Sequence, residues 1–294
     1  MLIIGGSGLV GSTLISYAVS DFSLYATVNK NEIQSDRVIV TKIDLLQERQ
    51  KIADLISTLR PDIIVNTVAH DSVDLCETDH KIADLLHVEV LQDIAKVSKK
   101  TGSKLIHLST DFVFEGSKEG KYTENDIPKP VNYYGNTKLL GENIVIEQSE
   151  NNVVLRPAVI YGWHKKSRFT NWIIETLQAG KSVNPHADQC NTPTLVDDLC
   201  KAILKVIELG VSGLYNSTGK TCLSRYEFAQ ALADGFGLDK KLIKPVTSQE
   251  KKQLAPRPCR TCLDSTKLEK RTGFEFSDIN TGISFIFNKS KQNS

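Results

Sequence analysis

The chain has 294 residues, 40% hydrophobic and 24% charged, a composition expected of one large folded domain or two modest ones. Its formal net charge of +1 at pH 7 provides no global field that would select nucleic acid or an anionic membrane. No apolar run approaches the ~20 residues that span a bilayer, and no basic residues precede the short apolar start at residues 1–4. We therefore expect a cytoplasmic protein with no nucleic-acid or membrane partner.

Short β-rich runs alternate with helical patterns through the first half of the chain. The runs with strand character cover residues 2–4, 24–28, 37–40, 63–67, 104–109 and 153–156. Apolar residues at three- and four-residue spacing predict helices over 9–19, 48–59 and 82–99. Strand–helix alternation predicts an α/β fold, with a parallel sheet covered by helices on both faces.

From about residue 162 the pattern changes. Helical stretches at 172–177, 196–209 and 226–236 mix with irregular, proline-bearing segments around 184–194 and 244–258. We interpret residues 162–294 as a smaller second lobe, partly interleaved with the first, from which a segment at about 193–219 returns to the first domain. The polar tail after Asn288 is expected to be frayed.

A glycine-rich loop joins the first strand to the first helix. It fits G-x-x-G-x-x-G through Gly5, Gly8 and Gly11, and G-x-G-x-x-G if Gly6 is the first glycine. In either pattern glycine permits a tight turn and lets the backbone approach a pyrophosphate, which rests on the helix N-terminus. This context predicts a Rossmann-type, doubly wound domain at residues 1–161 that binds a dinucleotide.

The residues after the second strand bear on the choice of dinucleotide. NAD-specific sites place Asp or Glu there, where the carboxylate binds the ribose 2′-OH and repels a 2′-phosphate. This chain has Asn29 and Lys30 instead, and Lys30 would supply a positive charge to a 2′-phosphate. A solvated loop lysine is the alternative interpretation. The sequence favours NADPH, with NADH as the second cofactor.

Tyr134 and Lys138 stand four residues apart at the start of a predicted helix and so share one helix face. A tyrosine is a poor acid–base catalyst at neutral pH because its pKa is near ~10. A nearby ammonium group is expected to lower that pKa and ease proton exchange with a carbonyl oxygen. The spacing is common by chance, but its position after a nucleotide-binding half favours a catalytic role.

Hydroxyl groups follow the apolar strand at 104–109, where Ser109 and Thr110 emerge at the predicted carboxyl edge of the sheet. Ligands of open α/β sheets bind at this edge. We expect Thr110 to hydrogen-bond a substrate oxygen and orient it towards Tyr134. The alternative is a strand-end residue that bonds its own turn.

The six cysteines are interpreted as reduced thiols. Cys259 and Cys262 form C-x-x-C, but no second close pair of Cys or His completes a four-ligand zinc site. Pro256 and Pro258 precede the pair, unlike the strand-to-helix setting of a redox motif. We expect two incidental thiols and no metal.

Together these segments resemble the extended short-chain dehydrogenase/reductases, and within them the dTDP-4-dehydrorhamnose reductase branch. The matching segments run the length of the chain: they are the glycine loop and residues 44–45, 65–69, 109–114, 134–142, 156–157, 161–162, 188–189, 193–194, 257–258 and 263–264.

The resemblance implies that NAD(P)H reduces the 4-keto group of a nucleotide-linked sugar, namely dTDP-4-dehydrorhamnose to dTDP-rhamnose. It implies a catalytic triad of Thr110, Tyr134 and Lys138. The residues expected to bind the cofactor are Gly5, Gly8, Leu9, Val10, Gly11, Asn29, Lys30, Asp44, Leu45, Thr67, Val68, Ala69, Tyr134 and Lys138. Those expected to bind the substrate are Thr110, Asp111, Phe112, Val159 and Arg257.

Three residues depart from the pattern of that branch. His87 stands where relatives often carry Asn, Phe112 where the branch has Tyr, and Val159 where an aromatic residue often packs on the sugar. We interpret His87 as a packing residue. Two further functions stay open: a nucleotide-sugar epimerase or dehydratase that retains NAD, and an NADP-binding regulatory subunit similar to methionine adenosyltransferase β. Helices of this fold often pair in relatives, so a homodimer is one expectation.

Overall fold

The computed structural model describes residues 1–33 and 35–292. Its strands are β1 (Leu2–Ile4), β2 (Leu24–Val28), β3 (Val38–Lys42), β4 (Ile63–Asn66), β5 (Lys104–Leu108), β6 (Val153–Arg156), β7 (Ile160–Tyr161), β8 (Cys190–Asn191), β9 (Thr194–Leu195), β10 (Gly213–Asn216) and β11 (Leu223–Ser224). Its α-helices are α1 (Leu9–Ala18), α2 (Gln50–Leu59), α3 (Val73–Thr78), α4 (His80–Asp84), α5 (Val90–Thr101), α6 (Tyr133–Gln148), α7 (Arg168–Gln178), α8 (Val196–Glu208), α9 (Arg225–Phe236), α10 (Thr266–Thr272) and α11 (Ile279–Gln292).

Seven parallel strands form the main sheet in the order β10-β6-β5-β4-β1-β2-β3. The prediction of a doubly wound α/β fold is confirmed. Strand β1 shows why helices cover both faces of the sheet, because its alternate side chains point to opposite faces. Ile3 joins a core with α1 and α8, whereas Leu2 and Ile4 join another with α2, α5 and α6. Both faces are covered, so the central strands are continuously apolar.

The second lobe has a core of its own. Its buried side chains include Tyr161, Ile173 of α7, Phe228 of α9 and Ile283 of α11. Between its two parts the chain returns to the main sheet, because α8 packs on α1 and β10 pairs in parallel with β6. Within the described ranges no helix combines the length and apolar character that crossing a bilayer requires.

Several expected boundaries need correction. The helix predicted over 82–99 is divided into α4, a π-helical segment at Leu85–Glu89 and α5. The third strand begins one residue late and runs to Lys42. The expectation of a frayed tail after Asn288 is wrong for residues 289–292, which continue α11. Lysines near its end favour this continuation, because they face the negative pole of the helix dipole.

The cysteines also depart from expectation. Cys222 and Cys262 form a disulfide with their Cα atoms 5.5 Å apart. The interpretation of all six as reduced thiols is therefore wrong for this pair. The C-x-x-C neighbours are not bonded to each other, since Cys259 is an exposed free thiol. The disulfide instead joins the segment before β11 to the loop before α10.

Candidate functional site

The glycine loop packs closely against the first turn of α1. Gly5 has φ +89°, a left-handed backbone that glycine accommodates without strain. A Cβ at Gly11 would lie 2.3 Å from the Gly5 carbonyl oxygen, so only glycine fits there. Gly8 is the N-cap of α1, and the first turn carries no acidic side chain. The helix N-terminus thus offers free N–H groups and a positive dipole end suited to a phosphate.

A cavity of about 290 Å³ lies against this loop. It is lined by Gly5, Ser7, Gly8, Thr27, Val28, Asn29, Ile43, Asp44, Leu45, Leu46, Thr67, Val68, Ala69, Leu86 and Lys166. Together with the close glycine packing, the cavity gives a dinucleotide a close approach to the backbone of the loop. Most residues expected to bind the cofactor meet here.

Some expected cofactor residues lie outside this lining. Leu9, Val10 and Gly11 belong to the first turn of α1, with Val10 buried in the core below it. Lys30 is exposed and does not line the cavity. Lys166, which sequence reasoning missed, does line it. It comes from the second lobe, and only the fold brings it to the glycine loop.

The start of α6 positions Tyr134. Asn132 caps the helix by accepting a hydrogen bond from the Gly135 N–H at 2.8 Å, and its side-chain amide donates to the Pro256 carbonyl at 2.9 Å. A Cβ at Gly135 would lie 2.2 Å from the Phe112 carbonyl oxygen. Glycine therefore allows the first turn of α6 to rest on the backbone that follows Thr110.

Tyr134 lies beside the Thr110 side chain, and its ring makes edge contacts with Phe112 and His87 at 6.1 and 5.5 Å between centroids. Burial raises the pKa of Tyr134, the neighbouring Thr110 hydroxyl opposes the rise, and the Asp111 charge adds to it. The expectation that an ammonium group lowers this pKa is wrong for the structure described here. The phenol is held in its protonated, proton-donating form.

Lys138 is buried behind Tyr134 on the same helix. Its Nζ donates to the Leu108 carbonyl at 2.6 Å and lies 3.2 Å from His107 Nε2. Burial lowers the pKa of Lys138 to about 8, while the charge of Glu142 raises it. The ammonium group is therefore anchored to the end of β5, directly below the Thr110 turn.

His87 lies in the π-helical segment, a local widening often found at functional sites. Its Nε2 accepts the His70 N–H at 2.9 Å, and its Nδ1 lies 2.8 Å from Thr137 Oγ1. Because Nε2 accepts, the ring proton is on Nδ1 and is donated to Thr137. Burial lowers the pKa of His87 to about 2, so the ring stays neutral. His87 ties the end of the cofactor-lining segment to α6.

Asp111 connects the two lobes. Its carboxylate accepts hydrogen bonds from Asn191 Nδ2 at 2.9 Å and from the Thr261 hydroxyl, and both partners belong to the second lobe. Thr110 also donates to it at 3.2 Å. Burial nevertheless raises the pKa of Asp111, with Thr261 and the Arg225 charge opposing the rise. The expected substrate residue is thus engaged in protein contacts that fix the Thr110 turn.

Two arginines of the second lobe face this region. Arg257 pairs with Asp74 at 3.0 Å, and its side chain is 11% exposed. Arg225, which the sequence did not suggest, lies over the Phe169 ring at 5.3 Å. Burial lowers the pKa of Arg225 to about 10, Asp111 opposes this, and Arg257 adds to it. Each guanidinium group has an acidic neighbour, Asp74 for Arg257 and Asp111 for Arg225.

Val159 follows β6 in a left-handed conformation, with φ +43°. Such a backbone is strained for a β-branched residue and persists where the surroundings hold it. Thr194 does so here, since its N–H donates to the Val159 carbonyl at 3.3 Å and its hydroxyl donates to the Ala158 carbonyl at 2.8 Å. The strain marks the point where the chain leaves the sheet for the second lobe.

Comparisons with known proteins agree with this description. The family described as RmlD substrate binding domain matches residues 1–291. A dTDP-4-dehydrorhamnose reductase from Aggregatibacter actinomycetemcomitans is 29% identical over 289 residues, 95% of each chain. Methionine adenosyltransferase 2 subunit beta from Mus musculus is 32% identical over 291 residues, 96% of this chain and 85% of the mouse protein.

Solved structures share the fold over nearly the whole chain. A hypothetical dTDP-4-dehydrorhamnose reductase from Sulfolobus tokodaii has a TM-score of 0.85 and 32% identity, covering 96% of this chain and 98% of that one. A dTDP-4-dehydrorhamnose reductase from Bacillus anthracis, solved with NADP, has a TM-score of 0.85 at 24% identity, covering 98% of each chain.

Proposed function

Because the chain belongs to the RmlD substrate-binding domain family, we propose that it is an NAD(P)H-dependent oxidoreductase that reduces the 4-keto group of a nucleotide-linked sugar. Its substrate is dTDP-4-dehydrorhamnose and its product dTDP-rhamnose, with NADPH the first cofactor and NADH the second. The observation that carries the proposal is the placement of Tyr134 beside Thr110, with Lys138 anchored to the end of β5, in a fold whose glycine loop lines a cavity.

In this proposal each side chain has a distinct task. When bound, the nicotinamide would supply hydride to the carbonyl carbon. Tyr134 donates its proton to the carbonyl oxygen as negative charge develops there. Thr110 hydrogen-bonds the same oxygen and orients it. Lys138, one helical turn further along α6, carries the positive charge that stabilises the negative charge left on the phenol oxygen when Tyr134 gives up its proton.

Arg225 and Arg257 of the second lobe support an anionic substrate. A guanidinium group binds phosphate oxygens through paired, charge-assisted hydrogen bonds. A nucleotide sugar carries a diphosphate, whereas a free sugar does not. We therefore propose that the second lobe, residues 162–294, receives the nucleotide sugar, while residues 1–161 hold the cofactor. The proposal also places the protein in the cytoplasm, the location expected from its sequence.

The test is NADPH consumption, followed by absorbance, with dTDP-4-dehydrorhamnose. The Tyr134→Phe variant loses the proton donor and should lose about 10²- to 10⁴-fold in turnover while still binding NADPH. Tyr133→Phe is the matched control, because that hydroxyl bonds Asp84 on α4 and does not lie beside Thr110. Equal turnover by Tyr134→Phe and wild type would refute the assignment. Product analysis separates reduction from epimerisation or dehydration, which consume no NADPH overall.

A regulatory role is the second candidate. It is favoured by the 32% identity to methionine adenosyltransferase 2 subunit beta over nearly the whole chain. In that case the protein would bind NADP, turn over no nucleotide sugar and co-purify with a methionine adenosyltransferase. A screen of nucleotide sugars with both cofactors, beside a pull-down with that enzyme, distinguishes the two functions.

A further inference from the structure

We propose that Lys166 of the second lobe, rather than Lys30 after β2, supplies the positive charge that binds a phosphate group of the dinucleotide. This inference rests on the proposed cofactor but concerns a residue outside the nucleotide-binding domain. It assigns the second lobe a part in holding the cofactor as well as the substrate.

The position of Lys166 is the first argument. It lies between β7 and α7, yet its Nζ donates a hydrogen bond to the Ser7 carbonyl in the glycine loop. It lines the cavity together with Ser7, Gly8 and Asn29. An ammonium group has three N–H donors, so the bond to Ser7 leaves donors for a bound oxygen. Lys30, by contrast, is exposed and outside the cavity lining.

The segment that carries Lys166 is fixed in place by its neighbours. The Lys166 N–H donates to His164 Nδ1 at 3.1 Å, so the His164 ring proton is on Nε2. His164 Nε2 lies 3.2 Å from Ser12 Oγ, which in turn donates to the Gly8 carbonyl at 2.6 Å. This relay holds the second-lobe segment against the first turn of α1. Lys166 therefore reaches the phosphate-binding end of the helix from a defined direction.

The charge balance is the second argument. Among residues 1–33 and 35–292, no carboxylate forms an ion pair with Lys166. Burial and the Lys165 charge both lower the pKa of Lys166, and only Asp71 opposes them. This half-buried cation lies beside the positive dipole end of α1, and Lys165 adds a second positive charge nearby. A bound phosphate would supply the missing negative charge.

Lys166 could contact either of two parts of a dinucleotide, the diphosphate or the ribose 2′-phosphate of NADP. Ser7 precedes the N-cap of α1, where the diphosphate rests. Asn29 follows β2, where the ribose 2′-phosphate of NADP is read. NADPH and NADH share the diphosphate and differ in the 2′-phosphate, so comparing the two cofactors identifies which phosphate Lys166 contacts.

The experiment measures NADPH and NADH dissociation constants by calorimetry, without substrate, for wild type, Lys166→Met, Lys166→Arg, Lys165→Met and Lys30→Met. The Lys166→Met variant loses one charge-assisted hydrogen bond to the cofactor, so its dissociation constant should rise about 10- to 100-fold. The loss is confined to NADPH if the contact is the 2′-phosphate, and it affects both cofactors if it is the diphosphate. Lys166→Arg should recover most of the affinity. Lys165→Met removes an exposed charge one residue away and should bind like wild type.

Wild-type affinity in Lys166→Met, or its loss in Lys30→Met instead, would overturn the inference and leave the proposed function standing. Failure of the wild-type protein to bind either nicotinamide dinucleotide would overturn both. Thermal melting of each variant shows whether it is folded, so that a weak dissociation constant is not mistaken for unfolding.

Discussion

At the scale of single residues, burial sets the ionisation of the proposed catalytic pair. The four-residue spacing of Tyr134 and Lys138 was enough to predict that they share a helix face. It was not enough to predict the pKa of either group, because the Lys138 partners Leu108 and His107 come from β5. Spacing along one helix carries no information about a contact made by another element. The same reason explains why Lys166 and Arg225 escaped prediction.

The depressed pKa of Lys138 predicts a pH-dependent contribution to stability. It is about 8 in the fold, against ~10.4 in an unfolded chain. Between these two pH values the unfolded chain binds more protons than the folded protein, so the free energy of unfolding rises with pH. Below about pH 8 Lys138 is protonated in both states, and the full free-energy cost of burying its charge remains. The stability difference between wild type and Lys138→Met should shift towards wild type by at most about 1.4 kcal/mol per pH unit.

Urea denaturation of both proteins at about pH 7.5 and about pH 9.5 measures this shift across the titration window. Lys42→Met, which removes an exposed lysine of β3, is the control and should show no such trend. A pH-independent difference for Lys138→Met would contradict the buried-cation account.

At the scale of elements, the site depends on how helix α6 packs against the main sheet. Arg156 at the end of β6 forms a buried pair with Glu142 of α6 at 2.6 Å, and Ser109 donates to the same carboxylate. The alternating pattern predicted the central strands within a residue or two. It did not predict the break at Leu85–Glu89, because a π-helical turn changes backbone register without changing the apolar spacing.

The close approach of α6 to the Thr110 turn gives a second prediction. Gly135→Ala places a Cβ 2.2 Å from the Phe112 carbonyl oxygen. The helix start must move, which should cost about 1–3 kcal/mol of stability. Displacing Tyr134 by about 1 Å should lower turnover by up to about 10²-fold. Denaturation and reductase assays check both effects.

Gly120→Ala provides the matched control for that substitution. Its added Cβ meets no described atom nearer than Lys118 Cε, at 3.9 Å. It should leave stability and turnover near the wild-type values. If Gly135→Ala behaves like Gly120→Ala, the tight packing of α6 on the Thr110 turn is not needed for function.

At the scale of the whole molecule, long-range pairings hold the two lobes together. The sequence indicated that a segment near 193–219 returns to the first domain, but it did not identify β10 as a strand. That strand is four residues long and begins at Gly213, which has φ +108°. Its partner β6 lies far earlier in the chain, so only the completed sheet specifies it. The Cys222–Cys262 pairing was missed for the same reason, since 40 positions separate the two residues.

The disulfide gives a prediction at this scale. Closing a loop of that length should stabilise the protein by about 2–4 kcal/mol, so a reductant should lower the melting temperature of wild type. Cys222→Ser should be insensitive to reductant. Thiol titration of the denatured, unreduced protein should count Cys76, Cys190, Cys200 and Cys259 as free. Six reactive thiols would show that the bridge does not form.

The return of the chain to the sheet also determines when the main sheet can finish folding during synthesis. Chains emerge from the N-terminus, and domains generally fold as units during synthesis. Here β6 lacks its outer neighbour until residues 213–216 have been made, and α1 lacks its cover until α8 has been made. A nascent chain carrying the whole glycine loop and the Tyr134 helix therefore still exposes an open strand edge, the surface on which misassembly begins. We therefore expect the nucleotide-binding half to finish folding only after α8 and β10 have emerged.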